Sequence, residues 1–203
     1  IGIIGYGAFG ALLHALLERF APAVRVRIYS SRKTPDGKTF FSLSDVCSTD
    51  AVILAVPIHA LEATLKKVVP LTRLDTILVD VATVKGYTVR LLKRLAQGRS
   101  YVAMHPMWGP ESYEKKQRNI RGFRIVVVEQ SIGTLRYLVL KRFLVSIGFD
   151  VIEMTAAEHD KHLAETLFLT HFVGQIISHG KFNRTAIDTV SFGYLMDAVE
   201  SVK

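Results

Sequence analysis

At 203 residues the chain can bury a core for one domain plus a smaller appendage. With 49% hydrophobic and 22% charged residues it is no disordered polyelectrolyte, and no apolar run reaches the roughly 20 residues that span a bilayer. The net charge of +8 raises nucleic acid as a partner, but the cations are spread along the chain without an aromatic-and-basic RNA signature. Small polyanionic ligands account for the charge at least as well, so neither nucleic acid nor membrane is expected. The single cysteine, Cys47, excludes an internal disulfide and fits a reducing compartment. The first residues already read as strand, with no signal peptide, so the cytoplasm is expected, or an organellar stroma if a transit peptide has been removed.

The elements follow in order. Residues 1–4 (IGII) form a short apolar strand, and 8–20 carry helical periodicity through Leu12, Leu13, Leu16, Leu17 and Phe20 up to Pro22. A half-buried strand is expected over 24–30, where Val24, Val26 and Ile28 alternate with arginines, then a turn within 33–42 around Pro35, Asp36 and Gly37. The fully apolar run at 51–57 and the segment TILVDVA at 76–82 read as strands covered on both faces, with helices at 59–69 and 86–97. A strand at 101–106, a loop at 107–122, a strand at 123–129, a helix at 131–146 and a strand at 149–154 complete the alternation. This rhythm predicts a doubly wound, mostly parallel α/β sheet over 1–154. From Thr155 onward the pattern holds only helices, at about 156–182 and 186–202, giving a small all-α domain over 155–203.

The loop GYGAFG, Gly5-Tyr6-Gly7-Ala8-Phe9-Gly10, fits G-x-G-x-x-G between strand and helix inside a βαβ unit, the setting of a Rossmann-type dinucleotide site. The first glycine permits the tight turn, the second lets a pyrophosphate approach the backbone, and the third lets helix and strand pack closely. About 20 residues on, an NAD site carries a carboxylate for the ribose 2′-hydroxyl. Here Ser30, Ser31, Arg32 and Lys33 stand instead, two hydroxyls and two cations that suit a 2′-phosphate. NADP is therefore expected in preference to NAD, and FAD is disfavoured on the same ground.

The segments AVPIHALEATLKKVVP (55–70), VDVATVKG (79–86) and AMHPMWGPES (103–112) resemble the prephenate/arogenate dehydrogenase family of tyrosine biosynthesis. The family pattern D-x-x-S-V-K followed by H-P-M-x-G-P is matched in order and spacing, with Thr83 for the usual serine. AEHDKHLAETLFLTHFVGQ (157–175) is similar to the entry of the family's helical domain. The resemblance implies oxidative decarboxylation of a cyclohexadienyl substrate, arogenate to tyrosine, with prephenate to 4-hydroxyphenylpyruvate as the alternative. It implies His105 as the general base on the ring hydroxyl, apt for an imidazole whose ordinary pKa is about 6.5. Thr83 is placed to hydrogen-bond His105 or the substrate, and Ala55, Val56 and Pro57 join the glycine loop around the cofactor. His171 matches the family's second, substrate-side histidine, eleven residues and three helical turns beyond Asp160 on a shared face. Trp108 either walls the substrate pocket or fills the core beneath the loop. Lys85 is either a helix-start lysine facing solvent or a substrate or structural residue.

The substrate is an anion, so Arg118 and Arg121 in the basic loop 114–124 are candidates for its carboxylates. Arg184, the only arginine after residue 142, matches no family anchor convincingly, and a partner subunit completing the site is one way out. His159, His162 and His179 read as helix-surface residues without zinc-type spacing, so no metal is expected. Leu163, Leu167, Phe168, Phe172, Ile176 and Ile177 give the long helix more apolar surface than one short partner covers, and the family dimerises through this domain; a homodimer is expected. Two rival functions stay open: another small β-hydroxyacid or imine reductase, and a catalytically idle NADP-binding or regulatory protein.

Overall fold

The computed structural model describes residues 1–200 and divides into two compact units, residues 1–157 and 158–203. The first is a seven-stranded sheet in the order β2-β1-β3-β4-β5-β6-β7. Its strands are β1 (Gly2–Ile4), β2 (Arg27–Tyr29), β3 (Ala51–Leu54), β4 (Ile77–Asp80), β5 (Tyr101–Pro106), β6 (Arg124–Gln130) and β7 (Asp150–Glu153). β1 to β5 run parallel, β6 is antiparallel to β5, and β7 is parallel to β6. The sheet is thus mostly parallel, and its order reverses between β1 and β3, where open α/β sheets bind ligands beyond the strands' carboxyl ends.

Alternation along each strand sends successive side chains to two cores. Val52, Leu54, Leu78, Tyr101 and Ala103 pack under α3 (Ile58–Val68) and α4 (Lys85–Leu95), meeting Leu61, Leu65, Val68, Val89 and Leu92. Val102 and Met104 face the other way, toward α1 (Ala8–Phe20) through Leu12 and Leu16, and toward Trp108 and Tyr113. On this second face an apolar groove of about 680 Å³ runs between α1 and α6 (Thr134–Ser146).

Several expected boundaries move. The strand expected over 24–30 keeps only Arg27–Tyr29, because the Val24 N–H turns back to the Ala21 carbonyl at the end of α1. Beyond it the 33–42 turn is held by Asp36, whose Oδ1 accepts the backbone N–H groups of Lys38, Thr39 and Phe40 at 2.8 Å each. This delivers Phe40 to a bridge with Ile28 on β2's outer edge. The apolar runs 51–57 and 76–82 leave the sheet at Leu54 and Asp80, so their last residues form loops at its carboxyl edge. Two short helices add to the expected elements: α2 (Leu43–Cys47), capped by the Ser42 hydroxyl, and α5 (Pro110–Lys115), which lies within the loop expected over 107–122 and has Pro110 in its first turn.

In the second unit the long helix is three pieces: α7 (Ala156–Leu163), a π-helical stretch (Ala164–Phe168) and α8 (Leu169–His179). α9 (Val190–Glu200) starts four residues later than expected, and the expected end at 202 lies outside the described residues. No strand occurs among the described residues after Glu153.

Candidate nucleotide and substrate cleft

The parallel strands end together, and their following loops enclose a cleft of about 480 Å³. Gly7, Ala8, Phe9 and Gly10 form one wall, Ala55, Val56, Pro57 and Ile58 the next, Val81 to Val84 a third, and His105, Pro106, Trp108, Gly109 and Pro110 the last. The larger groove between α1 and α6 offers only Arg136 among its otherwise apolar lining, so reacting polar groups find no partners there.

The glycine loop is built by exclusion. Gly5 has φ +103°, and a Cβ on it would lie 2.3 Å from the Ala55 carbonyl oxygen. A Cβ on Gly10 would stand 2.2 Å from the Gly5 carbonyl oxygen. A Cβ on Gly7 would meet nothing within 4 Å, because that residue faces the cleft. Gly7 is the N-cap of α1, no side chain caps this end, and its first turn carries no acidic residue. The helix therefore presents its amide donors and the positive end of its dipole to the cleft, the chemistry a pyrophosphate needs. This geometry fits a dinucleotide.

Tyr6, Ser30, Ser31, Arg32 and Lys33 do not line the cleft but lie at the carboxyl ends of β1 and β2. The Gly5 N–H bonds the Tyr29 carbonyl at 2.9 Å, tying the two ends together. The Ser30 hydroxyl accepts the Arg32 N–H, and the Arg32 and Lys33 side chains are exposed. Phe40 bridges this edge: its ring meets Tyr6 edge-on at 5.0 Å, with the Lys33 ammonium 6.0 Å from its centroid.

His105, the penultimate residue of β5, is 6% exposed and lines the cleft. Thr83, exposed in the loop after β4, lines it too. Trp108 stacks on Phe123 and Phe149 at 5.6 and 5.3 Å within the second core, and also lines the cleft. Its Nε1 is buried without a hydrogen-bond partner.

Lys85 does not face solvent. It is fully buried in the first turn of α4, and its ammonium donates to Asp80 Oδ2 at 2.6 Å and to the Met104 carbonyl at 2.7 Å. Asp80, equally buried at the end of β4, accepts the Ala82 N–H through Oδ1. The TVK spacing placed a lysine at a helix start; only the packed fold reveals the carboxylate waiting beneath it.

Arg118 and Arg121 are exposed and absent from the cleft lining. Arg118 pairs with Glu114, its carbonyl accepts from Arg19, and Arg121 packs over Gly148 while its carbonyl accepts from Lys116. In the second unit Arg184 is engaged with Asp197 and Glu200. His159 is not a surface residue: it is buried, with Nδ1 2.8 Å from Asp160 Oδ1. His171 is exposed, and the π-helical stretch before it breaks the 3.6-residue repeat on which a face shared with Asp160 depended. Among the described residues no group of three or more His, Cys, Asp or Glu is placed to hold a metal ion.

A family model described as the nucleotide-binding domain of prephenate dehydrogenase matches residues 36–128. Arogenate dehydrogenase 1, chloroplastic, of Arabidopsis thaliana is 32% identical over the whole of this chain, which covers 33% of that protein. Arogenate dehydrogenase 2, chloroplastic, of the same plant is 29% identical over 99% of the chain and 59% of its own length. The chain thus spans between a third and three fifths of these relatives. Among solved structures, prephenate dehydrogenase from A. aeolicus in complex with hydroxyphenyl propionate and NAD+ superposes with a TM-score of 0.75. It is 22% identical over 98% of this chain and 76% of that one. Synechocystis arogenate dehydrogenase gives 0.73 at 20% identity, over 99% and 78%. At these identities the structural likeness speaks for the fold.

Proposed function

The chain is a member of the prephenate/arogenate dehydrogenase family, and from that premise we propose that it carries out the NADP-dependent oxidative decarboxylation of arogenate to tyrosine. The observation that carries this reading is the convergence of His105, Thr83 and the uncapped N-terminus of α1 on one cleft. Gly7 to Gly10 hold the pyrophosphate through backbone amides, with Ala55, Val56 and Pro57 opposite. Ser30, Ser31, Arg32 and Lys33 hold the 2′-phosphate, in place of the carboxylate an NAD site would carry. When bound, the nicotinamide supplies the acceptor for the substrate's hydride.

The protein's own part is alignment and proton transfer. His105 takes the proton of the ring hydroxyl, and the electrons of the adjacent C–H bond leave as hydride. Release of CO2 then aromatises the ring. Thr83 orients His105 or the hydroxyl, and Trp108, fixed between two phenylalanine rings, keeps water from that wall. Support for arogenate comes from the two Arabidopsis relatives, whose chloroplast location suits a stromal enzyme.

A second reading, nucleotide binding without turnover, is favoured by one fact: among the described residues no arginine or lysine lines the cleft to receive a carboxylate. The test is incubation of the chain with NADP+ and either arogenate or prephenate, following absorbance of the reduced cofactor. Turnover of arogenate supports the proposal; turnover of prephenate alone moves the substrate; binding of NADP+ without turnover of either selects the second reading. His105→Ala should lower turnover by at least about a hundredfold while cofactor affinity stays within about twofold, general-base catalysis being worth ~10²–10⁴. Near-normal turnover in that variant would remove the base assignment.

A further inference from the structure

We propose that Lys85, held by Asp80, is a positioning residue for His105: its ammonium replaces the missing strand at the end of β5 and fixes the backbone that presents the imidazole. The inference rests on His105 being the base. β4 pairs with β5 only as far as Asp80 opposite Ala103, whereas β5 runs on to Pro106. Past that point no β4 residue pairs with β5. On β5's other edge the register with β6 shifts between Ala103 and Met104, so the ladder is irregular just there. One residue before His105 the strand thus leaves its neighbour on one side and slips on the other.

Lys85 fills the gap on the β4 side. Its Nζ donates at 2.7 Å to the Met104 carbonyl, the first one beyond the paired stretch. An ammonium is an expensive filler. Buried with 0% exposure, it is tolerable only because Asp80, also at 0%, stands 2.6 Å away. Asp80 is fixed in turn by the Ala82 N–H at 2.9 Å, in the loop that leads to Thr83. One buried pair therefore ties the end of β4, the loop bearing Thr83, the start of α4 and the residue before His105. An apolar side chain of equal length would fill the same volume and leave the Met104 carbonyl without this donor.

The experiment compares Asp80→Asn, which leaves a donor at position 85, with Asp80→Asn/Lys85→Met, which removes the donor without stranding a buried charge. Expected for the double variant is a fall in kcat of about tenfold to hundredfold, the scale of a misplacement near 1 Å. KM for the acid and affinity for NADP+ should stay within about threefold, and amide exchange at Met104 and His105 should quicken at least about tenfold. Asp80→Asn alone leaves the buried ammonium uncompensated and should lower the urea midpoint. With a donor kept at position 85, its kcat should stay at least about fivefold above that of the double variant; exchange at Met104 and His105 as fast as in the double variant would count against the donor. Parental kcat and exchange in the double variant, beside an inactive His105→Ala, would overturn the positioning role and leave the base assignment standing. If the parent turns over neither acid, the reading of the base fails, and the exchange measurement alone decides the tie to the strand end. Should the double variant not fold, Lys85→Arg, which keeps a donor, is read on the same scales. Unchanged exchange with turnover within about tenfold supports the proposal; a collapse of turnover with unchanged exchange overturns it.

Discussion

Gly7 and Gly10 illustrate how differently single residues contribute to one loop. Gly10 is required by packing, since its Cβ would fall 2.2 Å from a backbone oxygen that has no room to retreat. Gly10→Ala should cost about 1–3 kcal/mol as an overpacked site, read as a lower midpoint in urea. Gly7 has no such neighbour: its Cβ position is empty and faces the cleft, so the proposed cofactor is what would exclude a side chain there. Gly7→Ala should leave the urea midpoint nearly in place and weaken NADP+ binding by at least about tenfold in titration calorimetry. If both variants lose stability equally, the division of labour is wrong. Arg32 belongs to the same scale. Exposed at the end of β2, it should govern the 2′-phosphate, so Arg32→Asp should move preference from NADP toward NAD by at least about tenfold in the ratio of affinities. An unchanged ratio would place the phosphate elsewhere. Cys47, by contrast, is inert: burial pushes its thiol up to about 11, so it carries no thiolate at neutral pH.

At the scale of elements, what the sequence discloses depends on whether a signal outlasts its own length. The apolar cores of β3 and β4 and the repeats of α1, α3 and α4 were legible because each fills several turns or a full run of buried positions. α2 and α5 span five and six residues, too few for a period, although Ser42 before one and Gly109-Pro110 before the other are start signals that could have found them. The site was legible where motif residues carry their chemistry locally, as at the glycine loop and His105. Lys85 was not, because burial of a cation is decided by Asp80 and Met104 from other elements. The Asp36 turn shows the same dependence in a testable form. Three backbone N–H donors hold its carboxyl below the ordinary value of 3.8. A depressed carboxylate pKa adds stability above the unfolded value, lost as pH falls through the folded one, hence below about 4. Amide exchange at Lys38, Thr39 and Phe40, corrected for its intrinsic pH dependence, should show protection falling in that window. Asp36→Ala should remove the same protection at neutral pH and weaken NADP+ binding through Phe40; retained protection would show that the turn stands without the carboxylate.

At the scale of the molecule, the first unit covers both faces of its sheet, and no helix of the described residues is long and apolar enough to cross a membrane. Exposed apolar residues occur on α6 of the first unit, Leu135 and Val139 among them, and along the helices of the second. Phe168, Leu169, Phe172 and Ile176 are each at least half exposed along the long helix, and Val190 and Tyr194 are more than two thirds exposed on α9. Among them Phe168 and Phe172 stack with ring centroids 6.1 Å apart. We propose that a second copy covers this apolar area, supplying the same surface by two-fold symmetry. The chain should therefore scatter light as a dimer at micromolar concentration. Burying a phenylalanine is worth about 1.5–3 kcal/mol, so replacing both rings in both copies removes several kcal/mol from the interface. Each 1.4 kcal/mol is a factor of ten, so Phe168→Asp/Phe172→Asp should raise the dissociation constant by well over a hundredfold and give the monomer mass. The folded first unit should be untouched, which an unchanged Trp108 emission would report. A parent chain that is monomeric at micromolar concentration would end the argument from exposed area, and a dimer that survives both aspartates would move the interface off this helix.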